Sequence, residues 1–375
     1  MAKESYVAYV GTYTNGKSLG IHIYDVDVKE GTLHLRKVVP IKNSPYLMLS
    51  RDQKMLYSIA DEGVEVFDIL PDGDLKAVNR IDLDGMRGHQ MTTDRTSKYL
   101  FVAGYHDGKV TMVHLHKDGR LGSQMDGVFH KRQGSIRERS WLPHVCCVRV
   151  TPDNKFLCAV DNSLNQVMLY AINRNKNKLE QIDILRMGRE VGPKSLRFSH
   201  DGRFAYLLCE ITCMVRVYSY EVKNGYPVFT LLDEYDTISD KHDVYDAGAS
   251  LAISKDGKYI VTSAAGDNSI AIFEINQETG LLRRLLSLPI AGTYPKYTAL
   301  FPDQKHVAVV NNGSNEITTF AVDYEKGTII MKGRPQKVDQ PNCILFAKVE
   351  EGPTSFRNIT EEEAEAEAAA QLEGE

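Results

Sequence analysis

The sequence lacks the features that mark several common classes of protein. Its formal net charge is −5, so it has no basic excess with which to hold a polyanion, and we expect no nucleic-acid partner. It contains no apolar run long enough to cross a bilayer. Its N-terminal stretch, MAKESYVAYVG, has neither the cationic start nor the apolar segment of a secretory signal. We therefore expect a cytoplasmic protein that does not bind membranes.

Motifs for metals and cofactors are also scarce. The six cysteines form no C-x-x-C pair of the kind that holds zinc, and without an export signal they are expected to be reduced thiols. Cys209 and Cys213 are four residues apart, but the surrounding LLCEITCMV has the pattern of a strand and a turn. The sequence has no phosphate-binding glycine-rich loop, dinucleotide fingerprint or serine nucleophile elbow. It thus predicts neither a cofactor nor a metal.

What the sequence does contain is an internal repeat. One pattern recurs: a small residue or proline, an apolar strand, a turn rich in Asp, Gly and Lys, and then further short strands. A lysine or arginine stands in the first turn of each copy, at intervals of about 44 to 57 residues: Lys54, Lys98, Lys155, Arg203, Lys258 and Lys305. Asp-Gly pairs such as Asp201-Gly202 provide the positive φ of tight hairpins. Helical periodicity is absent, so the repeats predict an all-β protein.

Each interval holds four short strands, which is typical of the blades of a β-propeller. The copies begin at Ser44, Gly88, Pro143, Gly192, Gly248 and Tyr294. The N-terminal stretch offers the second to fourth strands of a further blade, and PNCILFAKV near the other end offers a first strand. Pairing of these terminal strands would complete a seventh blade and leave no open sheet edge. We therefore predict a seven-bladed β-propeller closed by its terminal strands, with residues 1–350 as one domain.

The remaining segment, residues 351–375, differs in composition. It has seven glutamates between Glu361 and Glu375 and almost no large apolar side chain, so it cannot bury enough surface to order itself. We predict an acidic, disordered tail that serves solubility, with binding of a partner as the alternative.

Two connections between the predicted blades are long, HKRQGSIRERSWL ahead of His144 and YPVFTLLDEYDTISDKHDVYD ahead of Ala247. Long loops on one rim of a rigid scaffold often carry function. The first loop crowds Arg137, Arg139 and the only tryptophan, Trp141, against the start of a strand. The arginines either bind an anion or form a solvated rim, and Trp141 is more simply explained as packing the loop against the fold.

These segments, in this order, resemble the lactonase family of seven-bladed propellers, which includes the cyclic 6-phosphogluconolactonases and a fungal muconate cycloisomerase. RERSWLPHVCCVRVTPDNKF is similar to the family's R-x-x-x-P-H-x-H…TPDGK segment, and VGPKSLRFSHDGRFAYLLCEI to its G-P-R-H…F-x-P-D-G-K…Y…N-E-L. GASLAISKDGKYIVTSAAGDNSIAIF is similar to the segment that normally carries S-N-R-G. The resemblance extends to about Val349 and implies a hydrolase that acts on a lactone.

The resemblance also implies which residues form the site. His144 matches the histidine that the family places at the mouth of the central channel, and Glu210 matches the acidic residue proposed to work with it. Lys194 and Lys296 stand where arginines are usual, and Asn312 belongs to a pair that resembles the family's Asn-Gln. The candidate substrate-binding residues are Arg139, Lys194, Lys296 and Asn312.

These residue types suit the opening of a lactone. The reaction needs a base to activate water and positive groups for the developing oxyanion or for a phosphate. His144, with an ordinary pKa of about 6.5, can accept a proton at neutral pH. Glu210 would orient the imidazole and stabilise its cation, while the arginine and lysines bind negative charge.

Several positions depart from the family's pattern. Cys146 replaces the second histidine of P-H-x-H, Ser195 the histidine after G-P-R, and Cys209 the asparagine before the glutamate. Ala265 replaces the arginine of S-N-R-G, which removes a positive charge. Cys146 could instead serve as a nucleophile beside His144, although cysteine is more often a small buried apolar residue.

The sequence thus predicts a cytoplasmic hydrolase that opens a sugar lactone, similar to a 6-phosphogluconolactonase of the pentose phosphate pathway. The alternative is a propeller that has lost this chemistry and binds a metabolite or a protein. An enzyme with a changed substrate, such as an unphosphorylated lactone, or with isomerase activity lies between the two. The fold fixes neither the substrate nor the oligomeric state.

Overall fold

A computed structural model of the chain describes residues 4–131, 142–238, 243, 245–353, 355–356 and 359–373. The chain divides into two compact units, one formed by Met1–Arg80 with Ala291–Glu375 and the other by Ile81–Ile290. Among the described residues, the regular structure is β-strand apart from a single α-helix, α1 (Glu361–Glu373). The chain is therefore all-β in class, as predicted.

The first half of the strands runs β1 (Ser5–Thr12), β2 (Gly20–Asp27), β3 (Thr32–Pro40), β4 (Leu47–Leu49), β5 (Met55–Ile59), β6 (Gly63–Ile69), β7 (Leu75–Asp82), β8 (Gln90–Thr93), β9 (Tyr99–Ala103), β10 (Lys109–Leu115), β11 (Leu121–Phe129), β12 (Val145–Val150), β13 (Phe156–Asp161) and β14 (Gln166–Asn173). The second half runs β15 (Lys178–Arg186), β16 (Pro193–Phe198), β17 (Phe204–Cys209), β18 (Met214–Lys223), β19 (Tyr226–Asp236), β20 (Ala247–Ile253), β21 (Tyr259–Ala265), β22 (Ser269–Ile275), β23 (Leu282–Pro289), β24 (Pro295–Leu300), β25 (His306–Asn311), β26 (Glu316–Asp323), β27 (Thr328–Lys337) and β28 (Pro341–Val349).

These strands form seven four-stranded sheets, which we call blades 1 to 7. Blade 1 contains β28, β1, β2 and β3, and each later blade contains the next four strands in chain order. Blades 1, 2 and 7 belong to the first unit, and blades 3 to 6 to the second. The prediction of seven four-stranded propeller blades is confirmed.

Blade 1 joins the two ends of the sequence. β28 pairs with β1 in antiparallel register, from Ser5 opposite Val349 to Thr12 opposite Pro341. Val10 lies opposite Ile344 in the middle of this ladder, and both side chains are buried. The predicted pairing of the terminal strands is therefore confirmed.

The first turn of each of blades 2 to 7 depends on a backbone conformation with positive φ. Gly202 and Gly257 adopt φ values of 76° and 74° in the Asp-Gly turns, where the absence of a Cβ removes the steric cost. In other blades Asn154 and Gln304 take the same position at φ values of 62° and 61°. Asp201 supports its turn by accepting a hydrogen bond from the N–H of Arg203 at 3.1 Å. The turns that lack glycine thus keep the same backbone geometry.

The second strand of each blade is buried on both faces. In the second unit, β13 (FLCAVD) and β17 (FAYLLC) are buried along their whole length and contribute side chains to the apolar core. A polar group in the middle of such a strand would need a buried partner. Polar side chains that reach the surface therefore stand where these strands end, at Asn162 and Glu210.

The acidic segment for which disorder was predicted contains α1. Thr360 begins the helix with a capping box: its Oγ1 accepts the N–H of Glu363 at 3.2 Å, and Glu363 accepts the N–H of Thr360 at 2.8 Å. Ala364 and Ala368 are fully or nearly fully buried in the core of the first unit. The prediction of disorder rested on the scarcity of large apolar residues and took no account of buried alanines. Nowhere in the described parts of the chain is there a helix with the length and apolarity to cross a membrane.

Candidate active site

A charged cluster lies at the ends of neighbouring strands in the second unit. The Oε2 of Glu210 is 3.0 Å from the Nζ of Lys194 and accepts a hydrogen bond from the Nδ2 of Asn162 at 2.9 Å. The Glu210 and Lys194 side chains are 28% and 26% exposed, so the pair meets solvent on one side. Burial alone would lower the pKa of the Lys194 amine, but the Glu210 carboxylate outweighs it and holds that pKa above its usual range. Lys194 is therefore a permanent cation in this cluster.

The repeat itself sets these positions. The N–H of Glu210 donates to the carbonyl of Gly192 at 2.6 Å, and the N–H of Asn162 donates to the carbonyl of His144 at 3.0 Å. Each bond joins the residue after a blade's second strand to a residue just before its first strand. Glu210 in blade 5 and Asn162 in blade 4 are thus structural equivalents, as are Gly192 and His144. Backbone hydrogen bonds therefore fix all four positions independently of their side chains.

β-Bulges give Lys194 its position. The register between β16 and β17 shifts between Pro193 and Ser195, so Lys194 is the extra residue. In blade 4, an equivalent register shift between Val145 and Cys147 places Cys146 in a bulge. A bulge bends the strand and changes the direction of its side chain, and bulges are common next to active sites. The equivalent residues of the two blades therefore differ in chemistry but not in backbone setting.

His144 is held by its backbone and by ring stacking. Its N–H donates to the Oδ1 of Asp161 at 3.1 Å, and its imidazole stacks on the Tyr105 ring with centroids 4.2 Å apart and planes at 23°. Stacking occupies a face of the imidazole and leaves its two nitrogens, at the edge of the ring, for proton transfer. Burial lowers the pKa of His144 below 6.5, and His106 adds to this, while Asp161 and Glu210 act in the opposite direction. The imidazole is therefore largely neutral at pH 7.

Asp161 supports His144 from within the core. It is fully buried, and its Oδ2 lies 2.6 Å from the Nδ1 of His130, which is also fully buried. Its Oδ1 accepts the backbone N–H of Leu164 at 3.0 Å in addition to that of His144. One buried carboxylate thus joins the end of β11 to both ends of the first hairpin of blade 4.

Asn162 connects the two halves of the site. Its backbone N–H binds the carbonyl of His144, and its side chain binds the carboxylate of Glu210. The second unit therefore brings together three predicted residues, His144, Glu210 and Lys194.

Of the other predicted site residues, two belong to the first unit and one is outside the described residues. Lys296 belongs to the first unit, where it occupies the bulge between Pro295 and Tyr297 and holds its Nζ 5.2 Å from the centroid of the Tyr13 ring. Asn312 of the same unit donates from Nδ2 to the carbonyl of Pro341 at 3.0 Å. Arg139 lies outside the described residues, as do Arg137 and Trp141.

The departures from the family's pattern have different local outcomes. Cys146 is buried, and burial raises the pKa of its thiol well above the usual value, so the structure disfavours the nucleophile hypothesis. Cys209 is also buried, with its pKa raised to about 12. Ser195 has an arginine nearby, because the Nη1 of Arg197 lies 3.3 Å from its Oγ. Ala265 is buried at the end of β21 and brings no charge.

Sequence reasoning did not identify four residues of the cluster: Tyr105, His130, Asp161 and Asn162. Two of them had a usable signal. Asp161 and Asn162 end the apolar run FLCAV as Glu210 ends FAYLLC, so aligning the repeats on their second strands would have found both. Tyr105 and His130 come from blade 3, and only the arrangement of the blades places them beside His144.

The profile of the family described as "Lactonase, 7-bladed beta-propeller" matches residues 7–346. Because this match covers most of the chain, and the blade count agrees with it, the chain belongs to the lactonase family of seven-bladed β-propellers. The resemblance noted from the sequence is thereby confirmed.

Proteins of known name are similar along nearly their whole length. The chain is 26% identical over 347 residues to a 6-phosphogluconolactonase of Bacillus subtilis, covering 91% of this chain and 98% of that protein. It is 28% identical over 335 residues to a 6-phosphogluconolactonase of Formosa agariphila, covering 86% and 94%. Among solved structures, the periplasmic gluconolactonase of Pseudomonas aeruginosa superimposes with a TM-score of 0.85 at 26% identity, covering 92% of this chain and 99% of that one.

Proposed function

We propose that this protein is a cytoplasmic hydrolase that opens a sugar lactone, and that 6-phosphogluconolactone is its preferred substrate class. The observation that carries the proposal is the hydrogen-bonded cluster of His144, Asn162, Glu210 and Lys194 in a chain of the lactonase family. Relatives named 6-phosphogluconolactonase support the choice of a phosphorylated sugar lactone. No cofactor takes part in the proposed reaction.

The proposed reaction uses His144 as a general base. Its neutral imidazole accepts a proton from water, and the hydroxide equivalent attacks the carbonyl carbon of the lactone. The tetrahedral oxyanion then collapses, the ring C–O bond breaks, and the imidazolium returns the proton to the departing alkoxide. The product is an open-chain hydroxy acid. The lowered pKa of His144 keeps the imidazole unprotonated at neutral pH, so it is available to accept this proton.

Lys194 provides the positive charge for this reaction. In the absence of substrate its ammonium is paired with Glu210 at 3.0 Å, so a substrate anion has to share or displace this partner. A preorganised cation at a developing oxyanion stabilises the transition state without reorganisation. Glu210 and Asn162 are positioning residues in this scheme, because they hold Lys194 and the His144 backbone. Lys296, Asn312 and Arg139 remain proposed contacts to the phosphate or sugar.

A second candidate function is a binding module without catalysis. The specific observation in its favour is that Glu210 forms its ion pair with Lys194, so the acid is already engaged with a cation other than His144. Ala265 and Cys146, both buried and uncharged, point in the same direction. Under this alternative, a sugar acid or lactone raises the melting temperature while no lactone is turned over.

A panel of phosphorylated and unphosphorylated sugar lactones tests the function and the role of Lys194 together. Wild-type protein is expected to open lactones faster than the spontaneous rate in a pH-stat, with the phosphorylated compound preferred. If Lys194 binds phosphate, Lys194→Met loses that preference; if it stabilises the oxyanion, kcat/KM falls by about 10²-fold for both compounds. Lys178→Met, an exposed lysine of blade 4, is the matched control. Equal rates in Lys194→Met and wild type would contradict both roles.

The pH dependence of kcat/KM tests the base. Because only neutral His144 accepts a proton and its pKa is lowered, activity should persist below pH 6.5 and fall as the pH drops through that lower value. Tyr105→Ala uncovers the imidazole, so the acid limb should move upward, toward the ordinary value. Tyr226→Ala removes an exposed ring at the start of β19 and should leave the limb in place. If the acid limb stayed in place in Tyr105→Ala, the assignment of His144 as the general base would be contradicted.

A further inference from the structure

The C-terminal helix brings two carboxylates to a buried histidine in the first unit. α1 contacts β3, and it presents Glu361 and Glu365, one helical turn apart, to His22 on β2. The Nε2 of His22 is 3.0 Å from the Oε1 of Glu365 and 4.0 Å from the Oε1 of Glu361. Within the described part of the chain this is the one group of three such side chains whose ligand atoms lie close enough to hold a metal ion.

The orientation of the imidazole is that of a metal ligand. Its Nδ1 is 3.3 Å from the carbonyl oxygen of Gly20, an acceptor, so Nδ1 carries the hydrogen. Nε2 then faces two carboxylates, which offer only lone pairs. Histidines that bind metals commonly donate their other N–H to a backbone carbonyl in this way. A cation between the buried Nε2 and the two partly buried carboxylates would satisfy all three groups.

Unsatisfied polar atoms converge on the same place. The His22 side chain is fully buried, and neither its Nε2 nor the Oε1 of Glu365 has a hydrogen-bond partner within the described ranges. The hydroxyl of Tyr24, two residues along the same face of β2, is also fully buried without a partner there.

The carboxylates are themselves held in place. Glu361 accepts the backbone N–H of Asp339 through Oε1 at 2.5 Å, and Glu365 accepts that of Leu19 through Oε2 at 3.0 Å. Glu365 thus keeps Oε1 for a second partner. Backbone donors of this kind orient the carboxylates that bind a metal. The pocket is preformed from three elements of the fold, not from α1 alone.

We propose that His22, Glu361 and Glu365 bind a divalent first-row transition-metal cation, most simply Zn²⁺. One imidazole and two carboxylates are ligands that this class of ion accepts, and the two negative charges neutralise the ion. Metal–ligand bonds of about 2.0–2.2 Å at a tetrahedral angle place ligand atoms about 3.4 Å apart. The observed 3.0 and 4.0 Å separations bracket that value, so small side-chain adjustments suffice.

The bound ion would fasten α1 to blade 1, the blade that pairs the terminal strands. This role is independent of the proposed lactonase activity. Little in the sequence indicates this site, because its histidine and its Glu-x-x-x-Glu pair lie more than three hundred residues apart. Our sequence prediction of no metal considered only motifs whose ligands are close together.

Titration calorimetry on the metal-stripped full chain tests the proposal, with Zn²⁺ and then Mn²⁺ and Co²⁺ as probes. We expect saturable binding of one Zn²⁺ per chain and a higher melting temperature. Glu365→Gln should weaken the affinity by about tenfold or more. Glu367→Gln makes the same change of charge on the exposed side of α1, so it should bind like wild type. His22→Gln provides a second, independent removal of a ligand.

Three results would overturn the proposal. One is the absence of a saturable isotherm for all three ions with folded wild-type protein. Another is equal weakening by Glu365→Gln and Glu367→Gln, which would indicate diffuse attraction to an acidic helix. A melting temperature that changes with pH but not with added metal would also contradict the proposal. The cation between the carboxylates would then be a protonated His22 imidazole. Lactone turnover is not a readout in any of these measurements.

Discussion

His144→Ala is expected to lower kcat/KM for lactone opening by about 10²- to 10⁴-fold, the range lost when a positioned general base is removed. Alanine keeps the backbone N–H that binds Asp161 and the carbonyl that accepts Asn162, so the hydrogen bonds of the backbone survive. The loss should therefore appear in turnover rather than in folding. The measurement is pH-stat titration with the spontaneous rate subtracted, alongside the circular dichroism spectrum of each variant.

A matched variant and a competing assignment sharpen this test. His200→Ala removes an exposed imidazole from a turn of blade 5 and should retain wild-type rates. If His144→Ala kept its activity while Glu210→Gln lost it, the base would be Glu210, and the ion pair with Lys194 would have to open during catalysis. Wild-type rates in both variants would remove this cluster from the reaction altogether.

Asp161→Ala is expected to reduce the free energy of unfolding by about 3 kcal/mol or more, because it breaks a buried charge-assisted contact and leaves buried donors without an acceptor. The groups affected are the His130 ring and the N–H groups of His144 and Leu164. Urea unfolding followed by circular dichroism measures the change. Asp161→Asn preserves the shape of the side chain and one acceptor oxygen, so it should reduce the free energy of unfolding by less.

A surface carboxylate provides the comparison for this stability prediction. The Glu62 side chain is 78% exposed, and its ion pair with Arg80 is 3.7 Å long. Glu62→Ala should therefore change the free energy of unfolding by no more than about 0.5–1 kcal/mol. If Asp161→Ala changed the free energy of unfolding as little as Glu62→Ala, the buried network would not be what holds His144 in place.

The fold was predictable because its information is local and repeated. Each lysine or arginine in a first turn marks one blade, so six weak signals reinforce one another, and the incomplete blade segments at the two ends complement each other. The same repetition explains Asn162 and Glu210, whose backbone bonds are equivalent. Where glycine is missing from the turn, as at Asn154, the neighbouring pattern still identifies the blade.

The site was only partly predictable, since side chains meet there across blades. Sequence reasoning placed a cation at position 194 and an acid at position 210. The bulge that makes Lys194 the extra residue of its strand could not be predicted from the sequence. The stacking of Tyr105 on His144 likewise depends on how blades 3 and 4 face each other. Small residues were another source of difficulty, because Ala364 and Ala368 pack α1 through close approach rather than through large apolar area.

The pairing of β1 with β28 has a consequence for how the protein is made. Val10 is synthesised 334 residues before Ile344, which lies opposite it in the ladder. At roughly 5 to 20 residues per second, β1 waits on the order of 20 to 70 seconds for this neighbour. During that interval the edge of β1 that will pair with β28 has no strand partner for its amides and carbonyls. Newly made chains are thus open to mispairing with one another until β28 has been synthesised.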